Sequence, residues 1–208
     1  MFKALVVDDH PFIRSSVKML LKQEQFDVVA EAANGADAVQ MAREHEPDLI
    51  VLDIAMPKLD GLEVIERICA LDLKCKILVL TSQPPLFYSM RCMKAGAAGY
   101  ISKTNDLDEL VKAIKAVMGG YTFFPNLANS SVRRSDVETT DLELIQSLSD
   151  RELTILQQLS QGLSNKEIGD AMLLSNKTIS TYKTRLIEKL KVKSVVYLAD
   201  FAKRNNLI

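Results

Sequence analysis

The chain has 208 residues, 48% of them hydrophobic and 25% charged, with a formal net charge of −1. It is long for one small domain and comfortable for two, with the composition of a soluble globular protein, and its near-neutral total argues on its own against nucleic-acid binding. The total conceals an asymmetry, however. Residues 1–120 carry 14 basic and 17 acidic side chains (−3), 121–146 carry 2 and 4 (−2), and 147–208 carry 10 and 6 (+4). An acidic part joined to a basic part suggests two tasks with different partners. Cys69, Cys75 and Cys92 have neither metal-ligand nor disulfide-framework spacing and read as reduced thiols. No apolar run approaches the roughly 20 residues of a membrane span, and the first strand-like run passes directly into Asp8 and Asp9 without a signal peptide. The expected location is the cytoplasm, with no membrane partner.

In chain order, Ala4–Val7, Val28–Ala30, Leu49–Leu52, Ile77–Leu80 and Gly99–Ile101 are short apolar runs that read as strands. Helix-like stretches lie near 12–24, 35–45, 61–71, 86–95 and 106–118. Five strands alternating with five helices predict an α/β domain with a doubly wound, five-stranded parallel sheet of flavodoxin-like type over residues 1–120. Gly119-Gly120 ends the fifth helix. Residues 121–146 show no clear period and read as a linker, partly ordered at Tyr121, Phe123 and Phe124 and polar through Asn126, Asn129, Ser130 and Ser131.

Residues 147–208 predict a small all-α domain. Ser149-Asp-Arg-Glu152 and Ser164-Asn-Lys-Glu167 are capping boxes, and Ser175 is a third N-cap. A tight Leu173-Leu174 connection joins the helix at 165–172 to one starting at 176, which makes a helix-turn-helix. Val195, Leu198, Ala199 and Ala202 give a last helix near 194–205 one apolar face.

Ligands of such sheets bind outside the carboxyl ends of the strands. Asp8 and Asp9 follow the first strand and Asp53 the third, so three carboxylates converge on one edge. Taken singly, acids at loop ends are usually solvated caps. Together they form the oxygen-rich anionic cluster that a hard divalent cation such as Mg²⁺ prefers. Lys103, after the fifth strand, adds a positive charge for phosphate oxygens, and Thr81 and Ser82, after the fourth, add hydroxyl donors.

Val7-Asp-Asp-His10, Asp53-Ile-Ala-Met-Pro57 with Asp60-Gly61, Thr81-Ser82 and Ala97 through Lys103 resemble the receiver domains of two-component response regulators. The resemblance implies that Asp53 is the phosphoacceptor, taking its phosphoryl group from a sensor histidine kinase, a phosphotransfer protein or a small phosphodonor. It also implies that Asp9, Asp53 and the backbone carbonyl of Ala55 hold Mg²⁺, with Asp8 acting through water. Lys103 would pair with the phosphoryl group, Thr81 would move to bond it, and Tyr100 would follow inward. Many receivers have Pro after the lysine; here Thr104 follows.

In the predicted second helix of the helix-turn-helix, Ile179, Leu186 and Leu190 recur at core spacing, and five basic residues face one acid, Glu188, between 176 and 191. Short polar side chains can reach base edges while Lys and Arg hold phosphates. On charge alone, a solvated basic face is as good a reading. Leu148–Glu152, Gly162–Ile168, Leu174–Ile179 and Lys189-Leu190 resemble the LuxR-type helix-turn-helix signature, and the two halves together resemble the NarL/FixJ family. Ser175–Thr178, Ser180–Lys183, Phe201–Asn206 and Gly120–Pro125 are most similar to its BvgA/EvgA subgroup. The resemblance implies double-stranded promoter DNA as a partner and a homodimer on phosphorylation, formed partly through the last helix. RNA polymerase is a further candidate partner. Ser180, Thr181 and Thr184 are the expected base contacts; Lys177, Thr178 and Lys183 are the expected phosphate contacts.

Three other readings compete with a phosphorylation-controlled, non-enzymatic transcription regulator. An Asp-nucleophile phosphatase needs a second acid for the leaving group and usually a cap, and neither is evident. A constitutive DNA binder or partner-binding module conflicts with the complete acidic set, and an RNA-binding antiterminator conflicts with the LuxR-type signature.

Overall fold

A computed structural model describes all residues except 57–60, 105 and 126–135, and only the backbone of 136–140. Pro57 and Asp60 of the acidic motif, and Asn126, Asn129, Ser130 and Ser131 of the expected linker, therefore lie outside the described residues. The chain forms two compact units, Met1–Pro125 and Asn126–Ile208. Among the described residues, no helix is long and apolar enough to cross a membrane.

The first unit runs β1 (Lys3–Val7), α1 (Pro11–Gln23), β2 (Asp27–Ala32), α2 (Gly35–His45), β3 (Leu49–Leu52), α3 (Gly61–Cys69), β4 (Lys76–Thr81), α4 (Pro85–Ala95), β5 (Gly99–Ser102) and α5 (Leu107–Met118). The strands are parallel in the order β2-β1-β3-β4-β5. Every residue of β3 is buried, as expected of a strand covered on both faces. Strand alternation divides the core. Ala4, Val6, Leu49, Val51, Leu78, Leu80 and Ile101 pack with α1 and α5. Leu5, Val7, Ile50, Leu52, Val79 and Tyr100 are buried as well, on the side covered by α2, α3 and α4, which pack in succession. The order reverses between β1 and β3, so their carboxyl ends open onto the crevice where such folds bind ligands.

The aromatic segment after α5 belongs to this sheet. Tyr100 N–H donates to the Phe123 carbonyl at 2.7 Å, and Phe123 N–H donates to the Ala98 carbonyl at 3.0 Å. Gly99 permits the approach: a Cβ there would lie 2.8 Å from Leu78 Cδ1 and 3.0 Å from the Phe123 oxygen.

The second unit contains α6 (Asp136–Gln146), α7 (Asp150–Ser160), α8 (Asn165–Met172), α9 (Asn176–Lys189) and α10 (Val195–Arg204). Helix α6 corrects the expectation of an aperiodic linker through 146. Its anchors are tertiary and leave little periodic trace. Ile145 is fully buried, and the buried Asp141 accepts from Arg204 Nε at 2.8 Å, Arg204 Nη2 at 3.1 Å and Asn205 Nδ2 at 3.1 Å, near the far end of the chain.

Both capping boxes form, and Ser175 caps α9 through Thr178 N–H at 3.1 Å. The α8–α9 turn places Leu173 at φ +57° and returns Leu174 N–H to the Gly169 carbonyl at 2.8 Å. A Cβ on Gly169 would sit 2.6 Å from the Leu174 oxygen, so this turn requires glycine.

Glu152 joins the start of α7 to the end of α9: its buried carboxylate accepts from Lys189 Nζ at 2.7 Å. Burial pushes this carboxyl up, but hydrogen bonds from Lys189 and Ser149 outweigh burial and hold it below the usual glutamate range. A carboxyl lowered on folding stabilises above its unfolded pKa and loses that contribution as pH falls through its folded one. Glu152→Gln is expected to cost the helical unit about 1–3 kcal/mol at neutral pH. It should also flatten the loss of stability on acidification below about pH 4, both read from amide exchange in α7 and α9.

Candidate functional site

Four strand ends build the acidic edge. Asp8 and Asp53 are buried and Asp9 is partly exposed. With His10, they offer ligand atoms within 4.8 Å of one another. Asp53 N–H donates to the Val7 carbonyl at 2.8 Å, tying the β3 exit to β1. Asp53 Oδ1 accepts from Ala55 N–H at 2.9 Å, and Asp8 Oδ1 accepts from His10 N–H at 2.8 Å. Arg14, from α1, donates to the Asp8 carbonyl at 2.7 Å. Gly61 keeps the β3–α3 connection close, because a Cβ there would lie 2.2 Å from Ile54 Cα.

Lys103 Nζ sits 2.7 Å from Asp8 Oδ2 and 2.6 Å from Asp53 Oδ2. Burial works against the charged ammonium, but the hydrogen bonds and charges of Asp53 and Asp8 more than offset it, and its pKa lies above the ordinary lysine value. Asp9 Oδ1 is buried and accepts no hydrogen bond, although His10 Nδ1 lies 2.8 Å away. A buried carboxylate oxygen without a donor is costly, and a cation satisfies it. The donor set of carboxylates suits a hard divalent ion.

Thr81 is fully buried, and its Oγ1 accepts from Gln83 N–H at 3.3 Å. Tyr100 is buried on the inside, and its hydroxyl donates to the Gln83 carbonyl at 2.5 Å. Desolvation, followed by the charges of Cys92 and Asp53, pushes that phenol well above its usual pKa. The two expected switch residues therefore meet at opposite ends of one residue, Gln83. Sequence reasoning gave no role to Gln83, His10 or Arg14. His10 adjoins the aspartate pair, but nothing in local sequence distinguishes the other two.

In the helical unit, Ile179 and Leu186 point into the core, while Lys177, Ser180, Thr181 and Thr184 are exposed. Thr178 and Lys183 are half-buried, and Thr178 Oγ1 is paired with Ser175 Oγ at 2.7 Å inside the helix cap. Asn165, unassigned from sequence, donates through Nδ2 to Ser180 Oγ at 3.0 Å.

Residues 4–115 match the response regulator receiver domain, and residues 146–202 match the bacterial regulatory proteins of the luxR family. The chain belongs to the LuxR-type response regulators. This regulator is thus a DNA-binding transcription regulator of the two-component class. It is 54% identical over 205 residues to BvgA of Bordetella pertussis, a positive transcription regulator of virulence factors, covering 99% of this chain and 98% of that protein. It is 34% identical over 204 residues to the DNA-binding transcriptional activator EvgA of Escherichia coli, covering 98% of each. The response regulator RcsB of Salmonella typhimurium shares the fold, with a TM-score of 0.75 at 24% identity over 98% of this chain and 97% of that one.

Lys103→Met should destabilise the first unit by about 3–5 kcal/mol, because it leaves two buried carboxylates facing each other without a cation. Adding Asp8→Asn should recover much of that loss. Urea unfolding of the single and double variants measures both effects.

Proposed function

We propose that Asp53 is the phosphoacceptor of this regulator and that its modification controls promoter binding by the second unit. The observation that carries the reading is the Lys103 ammonium bridging Asp8 and Asp53, beside a buried Asp9 oxygen that lacks a donor, at the carboxyl edge of a parallel sheet. An Asp53 carboxylate oxygen attacks the phosphorus of a phosphohistidine on a sensor kinase or phosphotransfer protein. The P–N bond breaks, the imidazole leaves with the electron pair, and an acyl phosphate remains on Asp53.

Asp9, Asp53 and the Ala55 carbonyl would hold Mg²⁺ directly, with Asp8 acting through water; the bound ion supplies charge neutralisation for the incoming phosphoryl oxygens. Lys103 pairs with the phosphoryl group. Thr81 bonds it, and Tyr100 responds through the shared Gln83. The chain catalyses only its own phosphorylation and dephosphorylation.

Residues 1–120 do the receiver's work and 147–208 bind DNA, with α6 belonging to the second unit. In the second unit Ser180, Thr181 and Thr184 contact bases, while Lys177, Thr178 and Lys183 contact phosphates. Phosphorylation favours a homodimer in which two copies of α9 read adjacent half-sites; the exposed Val196 and Tyr197 on α10 support a part for that helix. Linking two reading helices raises affinity through effective concentration.

With acetyl phosphate and Mg²⁺, wild-type protein should gain one phosphoryl mass and bind paired half-sites from a randomised duplex pool more tightly. Asp53→Asn should lose both effects. Mass spectrometry and sequencing of the bound pool are the readouts, and DNA selection that ignores Asp53 would end the switching part of the proposal.

A further inference from the structure

The hydroxyl protons of Ser180, Thr181 and Thr184 are already committed. Ser180 Oγ donates to the Asn176 carbonyl at 3.1 Å, Thr181 Oγ1 to the Lys177 carbonyl at 3.1 Å, and Thr184 Oγ1 to the Ser180 carbonyl at 3.2 Å. Each bond returns to the carbonyl four residues earlier, the local alternative open to Ser and Thr within a helix. A hydroxyl has one proton and two lone pairs, so all three side chains, although exposed, offer only acceptors outward. Ser180 is restricted further. One of its lone pairs receives Asn165 Nδ2 at 3.0 Å, which fixes its hydroxyl from the neighbouring helix α8 and leaves a single lone pair.

The major groove displays donors at adenine N6 and cytosine N4, whereas guanine N7 and O6, adenine N7 and thymine O4 are acceptors. We infer that the three hydroxyls of α9 read DNA as hydrogen-bond acceptors, each paired with an exocyclic amino group of adenine or cytosine, and that Asn165 is the positioning residue for Ser180. This inference rests on the reading of α9 as the base-contacting helix. Contacts to guanine edges then fall to side chains that carry donors, Lys177, Lys183 and Arg185.

The test uses full-length protein treated with acetyl phosphate and Mg²⁺, and a duplex selected from the randomised pool. Each adenine or cytosine of a half-site is replaced in turn by its analogue lacking the amino group, and each purine by its 7-deaza form. Wild type, Ser180→Ala, Thr181→Val and Thr184→Val are titrated against every duplex by fluorescence anisotropy. Comparing the two losses at each position cancels the cost of a weakened base pair.

Amino deletion should weaken wild type about 5-fold more than it weakens the matching hydroxyl variant, at one position per hydroxyl, as expected for one hydrogen bond. The 7-deaza replacements should show no such coupling. Asn165→Ala should abolish the coupling at the Ser180 position while leaving both threonine couplings and the thermal midpoint unchanged. Coupling of the hydroxyls to 7-deaza replacement instead would mean that they donate, overturning the acceptor assignment while α9 remains the reading helix. Hydroxyl variants that bind every duplex as wild type does would overturn both this inference and the base contacts on which it rests.

Discussion

The acidic edge depends on one interaction, the ammonium of Lys103 held between the buried carboxylates of Asp8 and Asp53. Two such carboxylates repel each other and are poorly solvated, and the ammonium between them offsets both costs. The cation is delivered by the sheet. Lys103 N–H donates to the Thr81 carbonyl at 2.8 Å, extending the β4–β5 ladder by one residue beyond β5, and Asp53 N–H does the same toward Val7. Parallel register therefore sets the reach of each charged side chain, and a strand slipped by one residue would turn Asp53 or Lys103 toward the opposite face.

Much of this was legible in the sequence because it is written in short, local patterns. The apolar runs sit where β1 to β5 form, the capping boxes sit where α7 and α8 begin, and a residue that follows a strand needs no long-range information to be placed on the carboxyl edge. Features defined by partners distant in the chain were not legible. Helix α6 owes its place to Asp141 meeting Arg204 and Asn205, more than sixty residues later. Phe123 reads as a loop aromatic until its backbone pairs beside β5. Gln83 is an ordinary polar residue until Thr81 and Tyr100 are seen to hold its two ends. The hydroxyls of α9 were expected to contact bases, but their direction of hydrogen bonding is a property of rotamers that no spacing reveals.

The helical unit uses polar groups differently. Its core is apolar, from Ile145 through Leu207, and its buried charges are paired: Glu152 with Lys189, and Asp141 with Arg204. Both pairs join segments distant in sequence. They fix how α7 meets α9 and how α6 meets α10, while Ser180, Thr181 and Thr184 on the exposed side of α9 bond back to carbonyls of their own helix.

The proposed switch can be weighed against these bonds. A phosphoryl group shifts an equilibrium only through contacts that differ between its two states. Lys103 is already paired with Asp53, so moving to the phosphoryl oxygens yields only a difference between two strong bonds. Thr81 has more to gain: its hydroxyl accepts from Gln83, and its proton can still be donated. A charge-assisted hydrogen bond contributes about 1.5–3 kcal/mol, whereas moving a population from 1:99 to 99:1 takes about 5.5 kcal/mol. One new bond at Thr81 would therefore bias the receiver without throwing it fully. The proposed self-association would supply the rest, because tethering a second reading helix multiplies DNA affinity without any new contact at the acidic edge. On these magnitudes, the proposed phosphorylation and the proposed dimerisation would be two parts of one switch, neither sufficient alone.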